Sequence, residues 1–173
     1  MALEPKEQAL TLKEDLEEDL KGATITRTEV VGTHDAKLNV GWQAEGRLEV
    51  EGSRRRTLRP FPAMPRAVPI PSALAERRTL PIVMPYSRMQ VARSRVQLPP
   101  GYRLSRSEPM DRANDVGSVS FSAKEAEPGI AEASMKVELK AVFLPAEKYQ
   151  DVKDYLAWVR DAANRTLTLE RSP

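Results

Sequence analysis

The chain of 173 residues contains no cysteine and one histidine, His34. The missing cysteine removes disulfides, thiolate zinc sites and a cysteine nucleophile together. It leaves the compartment open, because secreted and periplasmic domains without disulfides are common. Aromatic residues make up 5% of the chain, so a core has to be built from Val, Leu, Ile, Met and Ala. No apolar run approaches the ~20 residues that a helical membrane span needs. The start, Met1-Ala2-Leu3-Glu4-Pro5, lacks the basic-then-apolar layout of a signal peptide. A cytoplasmic protein and a mature or excised piece of a longer chain both fit that start.

What the chain does have is proline and unevenly placed charge. Fourteen prolines argue against long helices, since each fixes φ and removes a backbone donor. They favour short strands joined by ordered loops. The net charge is +2, yet residues 1–52 carry −6, residues 53–106 carry +11 and residues 107–173 carry −3. The middle third contains arginine but no lysine, and its one acid is Glu76. Arginine binds carboxylates and phosphates bidentately, so an anionic partner is one reading. Packing of the acidic first third against the basic middle third is the other, and the plainer one.

Residues 1–8 are polar and expected to fray. Residues 9–173 are expected to form one domain. Leu10, Leu12 and Leu16 alternate with polar residues as a strand would, and an acidic turn follows at Glu14–Asp19. Ala23, Ile25, Val30 and Val31 suit the second strand of a hairpin. A helix through Leu12, Leu16 and Leu20, spaced by four, is the alternative. A short helical piece is expected at Asp35–Val40 and a short strand at Arg47–Glu51. Residues 53–74 read as an irregular connection rich in proline and arginine, with Pro60, Pro62, Pro65, Pro69 and Pro71 forbidding a central strand. One helical turn is expected at Leu74–Arg78 and an edge strand at Leu80–Met84.

The most regular stretch is Met89 to Phe143. A strand is expected at Val91–Leu98, then a turn at Leu98-Pro99-Pro100-Gly101-Tyr102, with Gly101 in the position that needs positive φ. A short strand, Tyr102–Ser105, and a polar loop, Asp111–Asp115, come next. Val119, Phe121 and Ala123 then alternate with Ser118, Ser120 and Ser122. After a Pro-Gly turn within Glu125–Gly129, Met135, Val137, Leu139, Ala141 and Phe143 line one face. These two runs should pair as a hairpin. Pro145 fits the first position of a helix. That helix has an apolar stripe through Tyr149, Val152, Leu156, Val159 and Ala163, widened by Tyr155. Thr166–Glu170 can be a terminal strand. The fold class is therefore mainly β, an antiparallel β-sandwich with one C-terminal α-helix packed on it.

No catalytic constellation stands out. His34 has no aligned ligands, and the serines at 118–122 have no base nearby in sequence. No spacing singles out a pair of carboxylates. The acidic turn at Glu17-Glu18-Asp19 lacks the pattern of an EF-hand. Neither a cofactor nor a metal site is expected, and the chain reads as non-catalytic. Arg54, Arg55, Arg56 and Arg59 are the candidate contacts for an anion or a partner. Trp42 or Phe61 could stack on bases beside them, but no nucleic-acid-binding motif is present.

Several stretches taken together resemble a known family. They are Arg78-Thr79-Leu80-Pro81-Ile82, Arg95-Val96-Gln97-Leu98-Pro99-Pro100-Gly101-Tyr102, the Gly-Ser-Val-Ser-Phe strand at Gly117–Phe121, and Leu144-Pro145 with Glu147-Lys148-Tyr149. Their order resembles the β-sandwich domain, of uncharacterised function, that follows the transglutaminase-like core in bacterial multidomain proteins. The resemblance covers residues 76–170 well and residues 9–50 by strand pattern only. It implies a non-catalytic accessory module of an envelope protein, in the periplasm or at the cell surface. Its implied partner is a transglutaminase-like core domain or an envelope protein. Relatives carry their Cys-His-Asp chemistry in the separate core, and none of those residues can be carried over here. The Pro- and Arg-rich stretch at 53–71 departs from the family pattern. A binder of polyanions, nucleic acid or acidic glycans, is the alternative function, and a hydrolase using acidic residues is a third.

Overall fold

The computed structural model describes residues 10, 11, 13, 14, 17, 18, 23–33, 39–48, 55–61, 77–84 and 87–171. The expectation of one domain over 9–173 meets a chain that groups into two compact units, Met1–Gly52 and Ser53–Pro173.

In the first unit, residues 10, 11, 13, 14, 17 and 18 are helical, where a strand running into an acidic turn was expected. The spacing of the leucines by four outweighs their shorter alternation. Lys13 and Glu17, one helical turn apart, lie 4.0 Å from each other. The Glu17 carboxylate also accepts the backbone N–H of buried Ile25 at 3.0 Å. Strand β1 (Ala23–Thr33) forms as expected, but its antiparallel partner is β2 (Asn39–Leu48). Asn39 and Val40 thus open a strand instead of closing a helix, and Gly41, Trp42 and Gly46 lie inside it. The rest of the expected helix, residues 35–38, lies outside the described residues, as do residues 49–51. Register slips between Ile25 and Arg27. Thr26, left over at that bulge, donates its hydroxyl to the Glu45 carbonyl at 3.1 Å.

The second unit runs β3 (Arg55–Leu58), β4 (Ile82–Val83), β5 (Arg88–Gln97), β6 (Tyr102–Leu104), β7 (Met110–Ala113), β8 (Gly117–Glu127), β9 (Ile130–Leu139), β10 (Phe143–Leu144), a C-terminal helix (Tyr149–Asn164) and β11 (Leu167–Arg171). Every pairing is antiparallel. The order is β5-β9-β8-β7 in a four-stranded sheet, β3-β11-β6 in a three-stranded one, and β10-β4 in a two-stranded ribbon. Both larger sheets and the helix feed one core, with Val119, Phe121, Met135 and Val137 from one sheet and Leu167 and Leu169 from the other. The fold is mainly β, with antiparallel sheets and a helix packed on them.

The β8–β9 hairpin forms where the alternation placed it. Val119 faces Val137 and Phe121 faces Met135, all buried. β9 starts earlier than expected, and Ala131, Ala133, Met135, Val137 and Leu139 form its inward row. It also stops earlier. The Lys140 and Ala141 N–H groups both go to the Val116 carbonyl, at 2.9 and 3.1 Å. That turns the chain out of the sheet, and Phe143, expected inside, becomes an exposed residue of β10.

The Pro-Pro-Gly turn has its expected geometry. Gly101 sits at φ +77° and the Tyr102 N–H reaches the Pro99 carbonyl at 3.1 Å, a type II arrangement. Two stretches expected to be irregular carry strands. Met110–Ala113 pairs with β8, setting Met110 opposite Phe121, and Arg55–Leu58 pairs with β11. Arg77 and Arg78, expected in a helical turn, are not helical. The edge strand expected within Leu80–Met84 is β4, paired with β10.

Pro145 precedes a 3-10 turn, Ala146–Lys148, so it stands ahead of the α-helix and not at its first position. The buried stripe is Tyr149, Val152, Tyr155, Leu156, Val159 and Ala162. Ala162 replaces the expected Ala163. Each large member of such a stripe contributes ~1.5–3 kcal/mol on burial. The helix approaches β8 closely at Gly117, where a Cβ would lie 2.9 Å from Tyr155 Cε2 and collide with the Glu138 carbonyl oxygen.

Candidate functional site

The arginines singled out from the sequence are described only in part. Arg54 lies outside the described residues. Arg55 and Arg56 belong to β3, at register positions opposite Glu170 and Leu169. Arg59 follows the strand and is exposed. Of the aromatic residues considered for stacking on bases, Phe61 is buried against Phe121, with ring centroids 6.2 Å apart, and Trp42 belongs to the first unit.

Polar side chains in the second unit serve mainly to tie turns to neighbouring elements. Asn114 is the clearest case. Its Oδ1 accepts the Val116 and Gly117 N–H groups at 3.0 and 3.3 Å, while its Nδ2 donates to the Asp151 carbonyl in the helix at 2.8 Å. Beside it, Lys148 donates to Asp115 at 2.5 Å and lies 3.3 Å from Asp151. The hydrogen bond and charge of Lys148 hold the Asp115 carboxyl below its ordinary range. Glu125 accepts the Gly129 and Leu104 N–H groups with its two oxygens, at 3.0 and 3.2 Å. Arg165 donates to the Glu108 carbonyl and lies over the Phe121 ring, 5.4 Å from its centroid.

Ser118, on the serine-bearing face of β8, is similarly engaged. The Ser118 hydroxyl donates to Glu138 at 3.3 Å. Glu138 is held below its ordinary range, chiefly by the hydrogen bond from Lys136 at 3.3 Å. A general acid needs a carboxyl raised toward neutrality. Asp115 and Glu138 are both moved the other way. Among the described residues no group of three or more His, Cys, Asp or Glu could hold a metal ion. No described helix is long and apolar enough to cross a membrane. His34 lies outside the described residues.

The exposed surface carries a feature the sequence reading missed. In the β4–β10 ribbon Val83 faces Phe143, and both are solvent-exposed, at 73% and 64%. Val142, exposed beside them, accepts the Met84 N–H at 2.8 Å, and exposed Leu80 precedes the ribbon. Ile82 and Leu144, the alternate positions, are buried. The ribbon therefore anchors one side in the core and turns an aromatic and a β-branched residue outward. Arg77 and Arg78 lie exposed just before it, with Arg78 over the Tyr149 ring at 5.8 Å. The signal was legible in part. Two prolines, Pro81 and Pro85, mark a short strand, and a two-residue strand can bury only one of two neighbours.

A solved structure of similar fold comes from Parabacteroides distasonis, a protein described as a candidate protease. The likeness has a TM-score of 0.50 at 19% identity and covers 57% of this chain and 19% of that one. This chain thus matches about a fifth of that protein's length, and the likeness is one of fold. No curated protein matches the chain significantly. The family DUF3858, a domain of unknown function with a solved structure, matches residues 56–169. That span falls within the second unit and takes in every strand from β4 to β10 and the helix, and most of β3 and β11. The chain belongs to the DUF3858 family.

Proposed function

We propose that the chain is a non-catalytic interaction module that docks onto a larger bacterial envelope protein with a transglutaminase-like or protease core. The exposed Val83–Phe143 pair carries this reading. An aromatic and a β-branched residue held outward on a ribbon anchored in the core have the makings of an interface hot spot. Two further observations support it. The similar fold makes up 19% of a chain described as a candidate protease, so such a fold can be one module of a larger protein. Asn114, Glu125 and Arg165 of the second unit are engaged in tying turns and loops to neighbouring elements. A periplasmic or cell-surface location belongs to the same reading and rests on the family resemblance.

The test is calorimetric titration of the purified full chain against a transglutaminase-like core domain from the same genome. Binding is expected, and Val83→Asp with Phe143→Asp should weaken it by ~2 kcal/mol or more, a factor of about thirty. Both side chains are exposed, so circular dichroism should show the fold retained. A core that does not bind, or binding that ignores both changes, refutes the proposal.

A further inference from the structure

Resting on the docking role of the ribbon, we propose that Arg78 and Lys153 receive a carboxylate of the partner protein, so that the surface covering Val83 and Phe143 presents an acidic side chain beside its apolar patch. Both cations converge on one ring. The Arg78 guanidinium lies 5.8 Å from the centroid of the Tyr149 ring, and the Lys153 ammonium lies 5.2 Å from it. Tyr149 opens the C-terminal helix and is buried, and Lys153 stands about one turn further on. Arg78 comes just before β4, and Tyr149 comes soon after β10. The chain enters β4 at Ile82 and leaves β10 at Leu144, and these two residues pair. That pair is one strand step, ~3.3 Å, from Val83 and Phe143. The cations therefore stand at one end of the ribbon, within the footprint of a partner seated on it.

The charges specify the occupant. Among the described residues Arg78 and Lys153 form no ion pair, and the Tyr149 ring is the polar contact of each. Lys148 differs, since Asp115 and Asp151 both hold it. A ring face attracts a cation without neutralising it, and two like charges drawn to one ring repel each other. A carboxylate arriving there relieves that repulsion, and a guanidinium can bind it through two parallel hydrogen bonds. A phosphate fits less well. Glu147 and Asp151 lie in the turns that open the helix, and their charge opposes a dianion more than a singly charged carboxylate. Leu80 and Phe143, exposed alongside, suit a protein side chain next to that carboxylate. Such an exposed pair adds modest affinity, but it selects the partner and sets its orientation.

The test titrates the full isotopically labelled chain with a short synthetic peptide alternating leucine with glutamate, with its glutamine counterpart, and with inorganic phosphate. The glutamate peptide should shift the magnetic resonance signals of the Tyr149 ring, the Arg78 guanidinium and the Lys153 ammonium. It should bind about tenfold more tightly than the glutamine peptide. Arg78→Glu with Lys153→Glu should abolish that preference, and the milder Arg78→Gln should remove part of it. Raising salt from about 0.05 to 0.5 M should shrink it as well. No binding, equal binding of the two peptides, or a preference untouched by these variants overturns the proposal. So does phosphate that moves the three signals more than the glutamate peptide does. Val83→Ser with Phe143→Ser should weaken both peptides alike and leave the preference for glutamate in place. Peptide binding that ignores the two serines counts against the ribbon alone, so the two failures are distinguishable.

Discussion

Replacing Gly117 by alanine tests how the helix sits on the sheet. In an ordinary strand the change should help, since glycine in a strand interior costs roughly 0.5–1 kcal/mol relative to alanine. Gly117 is not ordinary. It is buried opposite Leu139 on β9, and its missing side chain makes room for the Tyr155 ring. A Cβ would stand 2.9 Å from Tyr155 Cε2 and against the Glu138 carbonyl, which is backbone and cannot rotate away. Tyr155 is among the largest fully buried side chains, so the ring has nowhere to retreat. Overpacking of this kind costs ~1–3 kcal/mol, occasionally more. Contact with backbone puts the expectation at the upper end, ~3 kcal/mol net of the alanine gain. Urea unfolding of both proteins measures it through the shift in midpoint at constant slope. Tyr155→Leu in the alanine background should recover part of the loss, the part owed to the ring. Alanine that is neutral or stabilising would refute the close approach of helix and sheet.

The Tyr155 hydroxyl is buried without a hydrogen-bond partner among the described residues, and burial, helped by the Glu138 charge, pushes it up from 10.0 to about 12. A group raised in the folded state contributes stability that is whole below pH 10 and is lost as pH climbs toward 12. Tyr155→Phe should therefore be neutral or stabilising by up to ~1–2 kcal/mol at pH 7, by relieving a buried orphan. It should also flatten the decline above pH 10, and a steeper decline in urea midpoints would contradict both. Val137→Asp places an unpaired carboxylate in the inward row of β9, at a cost of several kcal/mol, on the order of the whole stability of a domain. A soluble, cooperatively unfolding variant would mean that the inward face is wrongly assigned.

How much of this was legible depended on whether the cause lay close in the chain. The alternation in β8 and β9 and the Pro-Pro-Gly turn are local, and they formed as read. The end of β9 is not local. It is set by the Val116 carbonyl, which captures two N–H groups after Leu139. Nothing in Ala141 or Phe143 announces that. β3 was hidden for the same reason, since its Arg-Arg-Thr-Leu sequence becomes a strand only by pairing with β11. Near the N-terminus two periods competed over the same leucines, and the period of four prevailed. The exposed ribbon is quiet in the sequence because its outward residues look like core.

The central place of β11 has a kinetic consequence. β3 is among the first strands of its unit to leave the ribosome, and β6 follows, yet both wait for Leu167–Arg171 to join them. The hairpin of β8 and β9 can close early, because its contacts are near in sequence. The three-stranded sheet cannot, and the loop it must close is long. During synthesis this unit should spend an interval with one sheet formed and two strands unpaired. A chaperone that binds extended segments would find them then.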